Sequence, residues 1–329
     1  MHEGPETGRP PVFIGGFRSG STLLASYLGM HPQLSAIYET KFLVDLLRIA
    51  RLLQDEAGRG QRELALSGEW AGRPGLARAE AVAFLTERAA SDIALTQRVL
   101  DGLAPDGKAP HERYVLGSNH ILWKAPEAVA ASAPFVSAVR AASAPHMLLP
   151  ALAAGIRPLF AGHARREGKR HWINKTPEIA RFQPELRQML GRVKFIHLIR
   201  DGRDVVHSGV KLKWWSVETG ARSWRLFIEE VRAQAAVHPE DYLELRYEAL
   251  AADHVGTLKK VLDFLGVGGD PRPIVAAQEQ YAPGSTSSAE ARNRSGYWHH
   301  EMPAGDRAIF KAAANDLLVA LGYAGDADW

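Results

Sequence analysis

Between Gly15 and Thr22 the chain reads Gly-Gly-Phe-Arg-Ser-Gly-Ser-Thr, which matches G-x-x-x-x-G-K-[ST] everywhere except at the lysine, where Ser21 stands. A glycine loop of this form turns backbone N–H groups toward an anion at a helix N-terminus, and the helix dipole favours that anion. The absent lysine is the residue that reaches the β- and γ-phosphates of a nucleoside triphosphate, so the loop binds an anion without the usual case for ATP or GTP chemistry. Arg18, inside the loop, supplies a planar donor suited to phosphate or sulfate. A second anion ligand is Arg200, at the end of the apolar run 193–199, because the carboxyl ends of parallel strands are where such sheets hold ligands. Ser208, eight residues on, lies in the following helical pattern, where its hydroxyl can share that anion. The alternative is that Arg200, Asp201, Arg203 and Asp204 form a surface charge network of little consequence.

These side chains need an α/β frame to position them. Residues 11–14 read as a strand, Gly15-Gly16 as a turn, and 22–28 as a helix that His31-Pro32 ends. Strand patterns return at 171–174, 193–199 and 241–245, separated by helical patterns at 178–190, from Asp204 onward and at 248–265, with a last helix near 306–321. Alternating strands and helices predict a P-loop-type parallel sheet flanked by helices. The stretch from about 40 to 170 is mostly helical, broken by a loop at 101–110, and reads as a helical insertion or cap within a single domain spanning 1–329.

Composition narrows the class. The 329 residues are 46% hydrophobic and 23% charged, as in a globular chain. Forty Lys and Arg against thirty-seven Asp and Glu leave a net charge of +3, too slight for a general nucleic-acid coat. Cysteine is absent, which removes disulfides, thiolate nucleophiles and sulfur-ligated zinc. The first ten residues lack the apolar core of a secretory signal. The Ala-rich stretch 128–156 is broken by Arg140, His146, Pro134, Pro145 and Pro150, too often for a membrane span of about 20 apolar residues. A cytoplasmic protein is the expectation.

The loop FIGGFRSGSTLL (13–24), followed by KFIHLIRDGRDVVHS (194–208), resembles the sulfotransferases that use 3′-phosphoadenosine-5′-phosphosulfate (PAPS). WINKTP (172–177) looks like the W-x-x-K-[TD]-P stretch of the branch holding bacterial and tyrosylprotein sulfotransferases, and LRYEAL (245–250) like its LRYEDL-type strand end. RNRSGYW (292–298) is similar to the C-terminal basic G-x-W element that closes over the cofactor. The resemblance covers 11–40 and 170–300, with Phe17 where proline is usual, Ser21 where threonine is common, and Ala249 in place of an acid.

The resemblance implies that Arg18, Ser19, Gly20, Ser21 and Thr22 hold the 5′-phosphosulfate. It implies that Arg200, Ser208 and one of Arg292 or Arg294 hold the 3′-phosphate, with Tyr247 also at the cofactor. It places the branch's general base at Glu39 and its catalytic lysine at Lys175, with Arg18 as a further catalytic group. The implied reaction carries a sulfuryl group from PAPS to a hydroxyl of a metabolite, lipid, sugar or peptide tyrosine, releasing 3′-phosphoadenosine-5′-phosphate (PAP), with no metal. Structural readings of Glu39 as a helix-start acid and of Lys175 as a solvated lysine compete with these roles. LWKAPE (122–127) repeats the Trp…Lys-x-Pro-Glu character but does not precede the Arg200 strand, which leaves Lys124 and His120 as acceptor-side candidates. His197, inside a strand, reads as a core histidine. His299-His300-Glu301 suggests metal ligands, yet neighbours on an extended chain point to opposite faces. Trp214 and Trp215 are candidates for lining an acceptor pocket. A P-loop kinase or nucleotidase, or a non-catalytic nucleotide-binding protein, are the competing functions.

Overall fold

The computed structural model describes residues 9–54, 58–70, 73, 75–101, 114–116, 119–121, 145–281, 295–326 and 328–329. Its strands are β1 (Val12–Gly15), β2 (Leu34–Tyr38), β3 (Tyr114–Leu116), β4 (Asn119–Ile121), β5 (His171–Lys175), β6 (Lys194–Ile199) and β7 (Tyr242–Arg246). Five form one parallel sheet in the order β2-β5-β1-β6-β7, while β3 and β4 make a separate antiparallel pair. β1, β2 and all of β6 after Lys194 are buried, as expected of parallel strands covered by helices on both faces.

The chain divides into two compact units. The first comprises the residues up to Val12 and His31–Val193. At its centre is the helix Lys41–Gln54, which packs against the helices Arg59–Trp70, Arg78–Asp101 and Pro145–Arg166 and buries Phe42, Leu43, Leu46, Leu47 and Ala50. The same helix also buries two cations. Arg48 Nε meets Glu63 Oε1 at 3.0 Å, Arg51 Nε meets Glu185 Oε1 at 2.9 Å, and Arg181 Nη2 reaches Glu63 Oε2 at 3.1 Å. Burial draws the Arg48 guanidinium down to about 10 against the pull of Glu63 and Asp45, and its carboxylate partners keep the cluster compensated. The segment expected as one helix over 178–190 is a 3₁₀ turn, Ile179–Phe182, followed by the helix Gln183–Leu190.

The second unit comprises Phe13–Met30 and Lys194–Trp329. Its helix Gly202–Lys211 begins two residues earlier than the sequence pattern suggested, because the Asp201 carboxylate caps it by accepting from Arg203 N at 2.9 Å. The pattern over 248–265 is likewise two helices, Tyr247–Ala252 and His254–Leu265. Asp253 stops the first and caps the second, accepting from Gly256 N at 2.7 Å. Among the described residues no helix is long and apolar enough to cross a membrane.

His197 pairs in register with Glu244 across β6 and β7. The Tyr242 hydroxyl donates to Glu244 Oε2 at 2.8 Å, so it accepts from His197 Nδ1 at 2.7 Å, and Arg232 Nε completes the set with a 2.8 Å bond to Glu244 Oε2. Burial pushes the Glu244 carboxyl up, but the hydrogen bonds from Arg232 and Tyr242, with the His197 ring nearby, outweigh it and hold the group far below the ordinary range. Its folded value lies below its unfolded one, so its stabilisation is complete above the unfolded value of about 4.3 and is lost as pH falls toward the folded value. Glu244→Gln is therefore expected to lower stability by about 2 kcal/mol at pH 7 and to flatten the decline below about pH 4. Urea unfolding over a pH series checks this. An unchanged acid slope would remove Glu244 from the account.

Candidate active site

The anion loop belongs to the second unit. β1 runs into Gly16 (φ +137°), and Arg18 (φ +48°) and Gly20 (φ +81°) are also in the left half of φ space while Phe17 and Ser19 are not. This alternation in sign is the backbone pattern of an anion nest. A Cβ at Gly16 would lie 2.3 Å from Ser19 Oγ and 2.4 Å from Leu198 O, and one at Gly20 would lie 2.7 Å from Tyr247 Cδ2, so neither position admits a side chain. Ser21 starts the helix Ser21–Met30, with Thr22 beside it, and its hydroxyl donates to Gly16 O at 3.0 Å, closing the loop where a lysine would otherwise extend. Phe17, in the place of the usual proline, is held edge-on against Phe227 with ring centroids 4.9 Å apart. The Ser19 hydroxyl is buried and has no hydrogen-bond partner among the described residues, an unmet donor pointing to an anion.

Arg200, just beyond β6, is buried and joins this loop. Its Nη1 donates to Arg18 O at 3.0 Å, its Nη2 pairs with Asp204 Oδ2 at 3.2 Å, and its guanidinium lies 4.5 Å from the Tyr247 ring centroid. Arg18 Nε donates to Ser208 Oγ at 2.9 Å, and the Arg18 guanidinium lies 5.3 Å from the exposed Trp214 ring. The residues expected at the two ends of one ligand, Arg18, Arg200, Ser208 and Tyr247, are thus a single connected set. The alternative of a surface charge network fails, since Arg200, Asp201, Arg203 and Asp204 are all buried. Asp204, which the sequence reading left without a role, accepts from Gly296 N at 2.8 Å and Trp298 N at 3.0 Å as well as pairing with Arg200.

Glu39 and Lys175 belong to the first unit. The parallel register pairs Tyr38 with Lys175, so both residues stand at the carboxyl ends of neighbouring strands. Lys175 Nζ donates to Glu39 Oε1 in a buried ion pair. Glu39 takes φ +51°, a left-handed conformation uncommon outside glycine and asparagine, and its N–H donates to Lys175 O at 2.7 Å. Glu39 stands two residues before the helix Lys41–Gln54 rather than in its first turn, and Lys175 is buried, which overturns the reading of it as a solvated lysine.

His299, His300 and Glu301 lie on a short helix, Trp298–Glu301, not on an extended chain as expected. His299 stacks on Trp298, and Glu301 is drawn down to about 2 by hydrogen bonds from Lys211 and His207. No group of three or more His, Asp and Glu among the described residues is arranged to hold a metal ion. Trp215 packs on Gly209 and Gly220, where an added Cβ would meet its ring, which assigns it to packing. His197 is buried as expected. Arg292, Arg294 and Lys124, and the side chain of His120, lie outside the described residues.

The sequence profile of the sulfotransferase family matches residues 10–271. The chain belongs to that family. Among solved structures, the sulfotransferase domain from the Synechococcus PCC 7002 olefin synthase aligns with this sulfotransferase at TM-score 0.52 and 19% identity, over 98% of this chain and 99% of that one, and shares its fold. The sulfotransferase domain from the curacin biosynthetic pathway aligns at TM-score 0.47 and 16% identity, over 94% of this chain and 98% of that one. Retinol dehydratase in complex with androsterone and inactive cofactor PAP aligns at TM-score 0.43 and 16% identity, over 94% and 80%. No curated protein sequence matches the chain. Two sets of residues that the sequence reading did not single out also stand out in this sulfotransferase: Asp204 pairs with Arg200, and Thr40, Asn174 and Thr176 form a buried hydrogen-bonded set beside Glu39 and Lys175 in sequence.

Proposed function

We propose that this sulfotransferase takes its sulfuryl group from PAPS, delivers it to an acceptor hydroxyl, and releases PAP. The observation that carries the donor assignment is the connected set Arg18, Ser208 and Arg200 around a loop whose φ alternates in sign and whose Ser19 hydroxyl is unsatisfied. A ligand with anionic groups at two positions meets that donor set, and a triphosphate chain does not, since Ser21 stands where its lysine would be. The loop N–H groups, Arg18, Ser19, Ser21 and Thr22 hold the 5′-phosphosulfate. Arg200 and Ser208, with Arg292 or Arg294, hold the 3′-phosphate, and Tyr247 backs both Gly20 and Arg200.

Bound PAPS supplies a sulfuryl group on a phosphosulfate anhydride. Glu39 takes the proton of the acceptor hydroxyl as its oxygen forms the new S–O bond. Lys175 donates to the bridging oxygen on which the electron pair of the broken S–O bond leaves, and Arg18 offsets the charge that develops on the transferring group. Both residues hold compensating charges before the acceptor arrives, so neither is an isolated buried ion. The segment 40–170 supplies the acceptor side, the enzyme acts in the cytoplasm, and the acceptor class is a hydroxyl compound.

Two measurements test the assignment. PAP at about 100 times its dissociation constant is expected to raise the melting temperature by about 5 °C, with ATP and Mg²⁺ giving little protection. The reverse order of protection supports a kinase or nucleotidase instead. Incubation with sulfur-labelled PAPS and a metabolite extract, followed by mass spectrometry, is expected to yield a product heavier by one sulfuryl group. Release of PAP with label appearing only in inorganic sulfate would leave the chain without transferase activity toward that extract.

A further inference from the structure

We infer that Thr40, Asn174 and Thr176 form a positioning device that fixes Glu39 and Lys175 in mutual register without touching the reacting atoms; this rests on the roles proposed above for that pair. Asn174 Nδ2 donates to Thr40 Oγ1 at 2.9 Å, and Thr176 Oγ1 donates to Asn174 Oδ1 at 3.1 Å. Each hydroxyl has one proton to give, and Thr176 has spent its own. The remaining contact, 3.2 Å between the two threonine oxygens, therefore runs from Thr40 to Thr176. The three bonds close a ring that circulates in one direction, an arrangement in which each bond polarises the next. Thr40 and Asn174 are fully buried and Thr176 is 2% exposed, so loss of any member strands its partners away from water.

The ring is placed to act on the pair through the backbone. Thr40 follows Glu39, and Asn174 and Thr176 flank Lys175; by strand alternation Asn174 points to the opposite face from Lys175. The β2–β5 ladder ends with Glu39 N donating to Lys175 O. At the next residue Thr40 N donates to Thr176 Oγ1 at 3.0 Å, so a side chain continues the ladder where the backbone has turned away. The turn is the left-handed Glu39, a conformation that costs a non-glycine residue about 1 kcal/mol or more and persists where its neighbours over-determine it. Thr40 and Thr176 also open the helical turns C-terminal to them, since Thr40 O accepts from Leu43 N at 3.0 Å and Thr176 O from Ile179 N at 3.0 Å. The ring thus locks two strand ends and two helical starts together at the point where the ion pair projects.

Thr176→Val keeps the shape and removes the ring. It is expected to slow transfer of label from sulfur-labelled PAPS, summed over all products of a metabolite extract and water, by about 10- to 100-fold. The dissociation constant for PAP, from thermal-shift titration, is expected to stay within about twofold, and Thr176→Ser to recover transfer to within about threefold of wild type. Should Thr176→Val lose its cooperative melt, Thr40→Val decides in its place, because it breaks two ring bonds and keeps the Thr40 N bond to Thr176, and the same losses are expected of it. Wild-type transfer in a folded valine variant overturns the inference, as does a Thr176→Ser enzyme as slow as Thr176→Val. Glu39→Gln and Lys175→Met run alongside. If these transfer normally the roles of the pair fail, whereas if they are slow and the ring variants are not, only the positioning role fails.

Discussion

Lys175→Met is expected to lower the rate of sulfuryl transfer by about a thousandfold while leaving PAP affinity nearly unchanged. The size follows from what Lys175 is placed to do. It is 2% exposed, so its ammonium meets a leaving oxygen with little screening by water, and the strand register holds it without a search. Glu39→Gln, which keeps the shape and removes the base, is expected to lose about 10²- to 10⁴-fold. The pair shares one ion pair, and each partner compensates the other's charge. Their effects are therefore expected not to multiply: the double variant loses about as much as the worse single variant. Single-turnover rates with labelled PAPS check this, with melting curves to confirm folding. Full additivity would show two independent groups, and undiminished rates in Lys175→Met would take the leaving-group role from it.

The anion loop was legible because its requirements are local: an apolar strand, glycines where φ must be positive, and a helix start within eight residues. Arg200 was legible for the same reason, at the end of a strongly apolar run. Glu39 and Lys175 were reached only through the family resemblance, since a contact between residues 136 apart depends on strand register, which no periodicity records. The ring behind them was missed because Thr40, Asn174 and Thr176 are ordinary polar residues in sequence, and only burial makes them costly. The split at Asp253 had a visible signal, an acid three residues before Gly256, that the unbroken apolar period outweighed. The helical start of His299-His300-Glu301 comes from Gly296 (φ +81°) and the Asp204 carboxylate at its entrance, 92 residues away in sequence.

Arg200→Ala is expected to weaken PAP binding by about a hundredfold or more, and the neighbouring Arg203 shows why the effect is specific to one of two buried arginines. Arg203 spends its donors internally: Nη2 on Asp201 Oδ2 at 2.7 Å and on Tyr323 O at 2.7 Å, with its guanidinium between the rings of Trp298 and Trp329, at 3.7 and 4.5 Å. Arg203→Ala therefore lowers the melting temperature and changes PAP affinity by less than about threefold. Arg200 instead ties Arg18 O in the glycine loop to Asp204, so in the proposed role its loss removes a charge from the site and a brace from the loop together. The two contributions separate by ligand. Wild-type enzyme is expected to prefer PAP to adenosine 5′-phosphate, which lacks the 3′-phosphate, and Arg200→Ala to erase most of that preference while binding adenosine 5′-phosphate only slightly less well. Arg200→Lys is expected to fall between, since an ammonium cannot serve the Arg18 carbonyl, Asp204 and a phosphate with a planar fork. Calorimetric titration of the three proteins with both nucleotides decides it. Equal losses for both ligands would make Arg200 a brace alone, and the 3′-phosphate would then need another cation.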